Sequence, residues 1–97
     1  MNDKYILHEK TPIIEHDLIK WAEWFETADR IVKQDKIGNT IISTVFLGLD
    51  HSFGGHEPLL FETMIFNRIH DDYQERYSSW DEAEIGHQKA LLLVRKK

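Results

Sequence analysis

The residues best suited to chemistry lie close together in the middle of the chain: Asp50, His51 and His56, with Glu57 beside them and Glu62 a few positions on. Carboxylates and imidazoles at short spacing can ligate a divalent metal or move protons. No known metal motif has this spacing, so no metal or cofactor is called for. Asp50 also has a plainer use, ordering its own loop by accepting backbone N–H bonds. Glu62 sits between Phe61 and Thr63 in an apolar run. A buried carboxylate needs a partner, and without one its pKa rises. Glu62 is therefore either a general acid or base beside His51, or a solvent-facing or ion-paired strand residue, with Arg30 or Arg68 as the cation. Ser43 and Thr44 lack the G-x-S-x-G surroundings of an activated nucleophile and read as strand residues. His87 reads as a surface or helix-packing histidine. Gly54-Gly55 lacks the lysine and hydroxyl pattern of a phosphate loop. Trp21 reads as helical core, and Trp24 lies at the edge of the helix's apolar stripe, half exposed. Trp80 directly follows a helix cap, where an indole can staple the helix or meet a partner.

The elements that must position these groups are legible as β-α-β-β-β-α. Tyr5 to His8 is a short strand ended by Thr11-Pro12. A helix is predicted over about Glu15 to Arg30, its apolar face set by Leu18, Ala22 and Phe25 and extended by Trp21 and Ala28. Ile31 to Lys36 and Thr40 to Leu49 make a hairpin, because Gly38-Asn39 can take the positive φ of a tight turn. The second arm is rich in β-branched residues and apolar on both faces, which suits a central strand. Asp50 to Pro58 is a loop. Leu59 to Phe66 is a strand paired antiparallel to the central one, and Tyr73 to Tyr77 is a short strand or turn. The last helix begins at Ser79, which forms a capping box with Glu82. Gly86 inside that helix costs about 1 kcal/mol against alanine, which marks a close packing point. The fold class is α+β: a two-layer sandwich of a three- to four-stranded antiparallel sheet with two helices on one face. The other face is left partly exposed or covered by a second copy.

Ninety-seven residues make one domain. With 41% hydrophobic residues and eleven aromatics, the chain has material for a core. It has no cysteine, which removes disulfides and thiolate chemistry and favours a cytoplasmic setting. The polar start lacks the apolar stretch of a signal peptide, and Ala90 to Val94 is too short to cross a bilayer. A net charge of −5, with basic residues bunched only at Arg95-Lys96-Lys97, disfavours direct nucleic-acid binding and suits a basic protein partner.

The string Ser43-Thr44-Val45-Phe46-Leu47-Gly48-Leu49-Asp50-His51, followed by Phe53-Gly54, Pro58 and Leu60-Phe61-Glu62-Thr63-Met64, resembles a family of small uncharacterised bacteriophage and prophage proteins. Tyr77, Trp80-Asp81-Glu82-Ala83 and Gly86-His87 fit the same pattern, as do Trp21, Trp24-Phe25-Glu26 and Arg30. The likeness spans about Tyr5 to Val94. His56-Glu57 departs from it, where a glycine- or proline-rich stretch is expected. The resemblance implies a phage accessory protein that binds host or rival machinery, and it carries no catalytic residue with it.

The expected function is thus a non-enzymatic protein that binds a host or defence protein, as an inhibitor of the anti-CRISPR or another counter-defence kind. The expected contact residues are Asp50, His51, Phe53, His56, Glu62 and Trp80, on the loop and sheet, with the acidic stretch at Asp71-Asp72 and Glu75 nearby. Two alternatives stand beside it. One is a nucleotide or other small-ligand site, binding or hydrolytic, built from Asp50, His51, His56 and Glu62. The other is a structural oligomer, with homodimerisation through the sheet face.

Overall fold

The computed structural model describes residues 3–52 and 57–96. Two strands, β1 (Tyr5–His8) and β2 (Thr11–Ile14), form an antiparallel hairpin. Helix α1 (Leu18–Thr27) follows. Strands β3 (Ile31–Ile37), β4 (Thr40–Phe46), β5 (Phe61–Phe66) and β6 (Gln74–Tyr77) form one antiparallel sheet in that order. Helix α2 (Trp80–Arg95) closes the described chain. The architecture is the expected α+β sandwich, with β4 and β5 central.

Strand alternation decides which face becomes the core. Ile42, Thr44 and Phe46 on β4, with Phe61, Thr63 and Ile65 on β5, turn to one side and are fully buried. Helix α2 packs on that side across all four strands. Its Ala83, Gly86, His87, Ala90, Leu91 and Val94 face the sheet, at the spacing of one helical stripe. Two clusters result. Ile42, Ile65, Ala90, Leu91 and Val94 fill one end, and Phe46, Leu60, Phe61 and Ala83 fill the other. Ser79 accepts the Glu82 N–H and the Glu82 carboxylate accepts the Ser79 N–H, which is the capping box read from the sequence. At Gly86 an added Cβ would fall inside the Tyr77 phenol, so the glycine does mark a close approach of helix and strand.

Helix α1 joins the same layer at the Phe46 end. Its Trp24 meets Phe46 edge-on, with ring centroids 5.8 Å apart. The helix is shorter than predicted. Asp17 is its N-cap and accepts the Ile19 and Lys20 N–H groups, which leaves Glu15 outside the first turn. Arg30 also lies outside: it stacks on Phe25 at 4.0 Å and donates to the Phe46 carbonyl. The buried side is Trp21, Trp24, Phe25 and Ala28, whereas Leu18 and Ala22 face solvent. Large rings remove more area from water than leucine or alanine, so they take the inner side. Trp21 adds a polar anchor, its Nε1–H lying 3.0 Å from the Tyr5 carbonyl and 3.1 Å from that of Gly48. Gly48 has a φ of +78°, and a Cβ there would press on Phe25, so only glycine suits this corner.

Strand β2 stands where the sequence suggested an end at Thr11-Pro12. Glu9 turns the hairpin with a φ of 59°, a conformation that no Asn-Gly or Asp-Gly pair announces. Pro12 is tolerated because, among the described residues, β2 pairs with β1 alone, leaving its other edge without a strand to receive an N–H.

The sheet face away from α2 has no element over it among the described residues. Ile41, Val45 and Met64 are half-buried there and Ile31 and Phe66 exposed.

Candidate functional site

Asp50 follows Gly48 and Leu49 as the chain leaves β4. Its Oδ1 accepts the Ser52 N–H at 2.8 Å and the Leu59 N–H at 3.0 Å, which ties the two ends of the loop together. Burial pushes its carboxyl up, but those bonds, the Ser52 hydroxyl and nearby His51 outweigh it and hold the pKa below the ordinary aspartate value. The His51 N–H donates to the Leu59 carbonyl, and no hydrogen bond or ion pair joins the His51 ring to Glu62 among the described residues. Glu62 lies on the open face of the sheet, opposite Arg76 of β6, whose Nε donates to it at 3.0 Å. The ion-pair reading of Glu62 therefore applies, with Arg76 as the cation in place of Arg30 or Arg68. Phe53 and His56 lie outside the described residues. No group of three or more metal-ligating side chains occurs among the described ones.

Trp80 opens α2. Its ring meets Phe61 edge-on at 6.2 Å, and the Lys10 ammonium sits 5.6 Å from its centroid. The indole thus staples α2 to β5. Its Nε1–H is buried with no partner among the described residues.

The arrangement that sequence reasoning missed lies beneath α2. Asp35 Oδ2 is 2.8 Å from His87 Nε2, His87 Nδ1 is 2.7 Å from Thr44 Oγ1, and Thr44 Oγ1 is 2.5 Å from Thr63 Oγ1. The Tyr77 hydroxyl faces Thr63 without a well-formed hydrogen bond. One polar side chain from every strand of the sheet thus falls in a row, with the imidazole let in from the helix. Asp35 accepts from Nε2–H, Nδ1 accepts from the Thr44 hydroxyl, and Thr44 accepts from Thr63. In that direction Asp35, His87, Thr44 and Thr63 are all satisfied, and the Tyr77 hydroxyl at the end of the row has no partner among the described residues.

Carboxylate, imidazole and hydroxyl in series is also the connectivity of a hydrolytic triad. Here the hydroxyl has nowhere to act. Thr44, Thr63 and His87 are fully buried. The cleft that touches the imidazole, about 250 Å³ lined by Lys33, Glu84, His87 and Gln88, has no hydroxyl in its wall. The row serves packing: it fixes α2 on the sheet at one rotation and one height. Its sequence signal was the in-register pair of threonines on otherwise apolar inner faces.

A larger groove of about 630 Å³ runs between β6 and the first half of α2. Tyr73, Tyr77, Leu59 and Ile85 supply its apolar surface, and Glu57, Glu75, Glu82, Arg76 and Lys89 its charges. Burial raises the Tyr77 phenol above its ordinary value, a Thr63 contact offsets part of this, and the Glu75 carboxylate adds to it. Tyr73 is raised in the same way, by burial first, then by Tyr77 and Glu75.

No protein-family model, no curated protein and no solved structure matches the chain. No helix among the described residues is long and apolar enough to cross a membrane.

Proposed function

We propose that the chain is a small phage-type accessory protein that acts by binding a host or defence protein, as an inhibitor of the anti-CRISPR or another counter-defence kind. The observation that carries this reading is the engagement of the groups that could do chemistry. Asp50 ties its loop, Glu62 holds Arg76, and His87 is sealed between Asp35 and Thr44. The surface, in contrast, offers contact. Leu18 and Ile19 are 60% and 69% exposed on α1, and Ala22 continues the patch one turn on. The net charge of −5 favours a basic partner. The phage resemblance supplies the biological setting. The small-ligand alternative would draw on Asp50, His51, His56 and Glu62, of which Asp50 is engaged by the Ser52 and Leu59 N–H groups and Glu62 by Arg76.

The test is affinity capture from host lysate at low and moderate salt. A stoichiometric partner, released when Leu18 and Ile19 or the acidic surface are reversed in character, is the expected result. Recovery of no stoichiometric partner would overturn the reading. Stabilisation by a nucleotide or divalent metal in a thermal melt would favour the small-ligand alternative, since saturation at a hundred times Kd adds about 2.7 kcal/mol.

A further inference from the structure

Strand β6 is the last of its sheet, paired with β5 on one side and with no strand on the other among the described residues. A free edge of this kind is a template for one more strand. Many edges are shielded by a proline, a lysine or an overlying loop. The β6 sequence Gln74-Glu75-Arg76-Tyr77 has no proline, and its edge opens on the groove beneath α2. Register places Glu75 opposite Thr63 and Tyr77 opposite Phe61, both inward-facing, so Glu75 and Tyr77 turn to the α2 side. The facing wall is α2 itself, with Ile85, Gly86 and Lys89. Ile85 is 59% exposed, and Leu92, seven residues on and 57% exposed, continues the same stripe.

The charge around the groove is mostly of one sign. Glu57, Glu75 and Glu82 line it, and Asp71 and Asp72 stand exposed just before β6. Of the two lining cations, Arg76 is held by Glu62, which leaves Lys89. The phenols of Tyr73 and Tyr77 are raised by burial first, and the Glu75 carboxylate adds a smaller push to both.

We propose that this groove takes an extended, basic segment of a partner protein, added antiparallel or parallel to β6 as an additional strand. The inference rests on the binding reading above and assigns it a surface and a partner chemistry. Backbone groups of the incoming segment pair with the free edge, which supplies affinity without regard to sequence. Side chains turned toward α2 cross the apolar surface of Ile85 and the tyrosine rings before reaching Glu75 and Glu82. Arginine or lysine matches that path, with an apolar stem and a cationic head. A second copy of this chain does not match it. A second copy carries the same net charge of −5 and the same acidic groove, and like charges brought together oppose pairing β6 with its own copy. A nucleic acid meets the same repulsion.

The experiment uses the full chain and a short fluorescent peptide of alternating arginine and valine. Two controls keep the length, one with glutamate for arginine and one with proline at every second position. The basic peptide is expected to bind, and both controls to bind at least about tenfold more weakly, a difference of about 1.4 kcal/mol. Glu75→Lys and Ile85→Ser, both at exposed positions, are each expected to weaken the basic peptide, the charge reversal about tenfold. Bound peptide is expected to slow amide exchange along β6. Equal binding of the proline peptide, indifference to Glu75→Lys and Ile85→Ser, or protection confined to another surface would overturn the proposal. If a lysate partner is captured just as well by the Glu75→Lys and Ile85→Ser chains, the groove is refuted and the binding reading survives. If neither partner nor peptide binds, both fall.

Discussion

Single residues in this chain divide into those that fix the fold and those left for contact, and hydrogen bonding shows which is which. Thr44 bridges Thr63 and His87, and all three are fully buried. Replacing it by valine keeps the shape but strands the His87 Nδ1 and the Thr63 hydroxyl. An orphaned buried polar group costs about 1–3 kcal/mol. Thr44→Val is therefore expected to lower the unfolding free energy by about that much in a urea titration. Combining it with Thr63→Val and His87→Leu removes the orphans, and the triple variant is expected to lose less than the three single losses added together. Additive losses would mean that the row does not act as a unit. Asp50 makes a second, pH-resolved case. Its folded pKa lies below its unfolded one, because the charged form receives the Ser52 and Leu59 N–H groups. A depressed carboxylate stabilises the fold fully above the ordinary aspartate value and loses that contribution as the pH falls through the lowered one. Asp50→Asn is expected to reduce stability at neutral pH and to flatten the acid limb of the stability profile below about pH 4. A variant whose profile runs parallel to the parent throughout would contradict the loop-tying role.

Among the elements, α2 and its seat on the sheet were the most legible and α1 the least. The capping box at Ser79, the central character of β4 and the close approach at Gly86 follow from local chemistry, and local chemistry can be read along a chain. Gly86→Ala would gain about 1 kcal/mol of helix propensity. The added methyl falls on the Tyr77 ring, however, and overpacking of this kind costs about 1–3 kcal/mol. Net destabilisation is expected. It should shrink or reverse when Tyr77 is alanine, because the clash then has no partner; an unchanged cost in the Tyr77→Ala background would place the strain elsewhere. The rotation of α1 was not legible, because Leu18, Ala22 and Phe25 fit a helical stripe as well as Trp21, Trp24 and Phe25 do. What decides between them is tertiary: the Trp21 indole finds two carbonyls, Tyr5 and Gly48, that are distant in sequence. The β2 strand was hidden for a related reason, since Glu9 adopts a turn conformation that its residue type does not signal. The partners of Glu62 and His87 were equally non-local. Arg76 and Asp35 become neighbours only once the strand register is known.

At the scale of the whole molecule, the chain is more drawn out than its length requires. Its radius of gyration is 14.2 Å and its extents are 45 × 29 × 22 Å, against about 12.5 Å expected for a compact domain of this length. The excess matches the way the first third is attached. Helix α1 has no fully buried side chain, and the β1–β2 hairpin is a two-stranded ribbon. Two-stranded ribbons are marginal by themselves. This arm is held at the Phe46 end by backbone bonds from Tyr5 to Gly48 and from Asp50 to Asp3, by the Trp21 indole on the Gly48 carbonyl, by half-buried Tyr5, Leu7 and Trp24 against the Phe46 cluster, and by Arg30 on Phe25 and the Phe46 carbonyl. The sheet and α2 enclose both buried clusters and the polar row. Regions with few buried contacts open at lower free energy than the core. Native-state amide exchange is therefore expected to resolve two levels, with β1, β2 and α1 exchanging through a partial opening and β4, β5 and α2 only through global unfolding. Trp21→Phe removes both indole hydrogen bonds while keeping an aromatic ring. It is expected to speed exchange in the arm several-fold, since only the Gly48 bond joins arm to core and about 1 kcal/mol is a factor of about five, and to leave β4 and β5 close to their parent rates. Equal protection across the chain, or a Trp21→Phe effect spread evenly over the sheet, would mean that arm and core fold as one cooperative unit. The exposed Leu18–Ile19 patch would then ride on a rigid body. If the two levels appear, it rides on an arm that can adjust to its partner while the β6 edge stays fixed by the core.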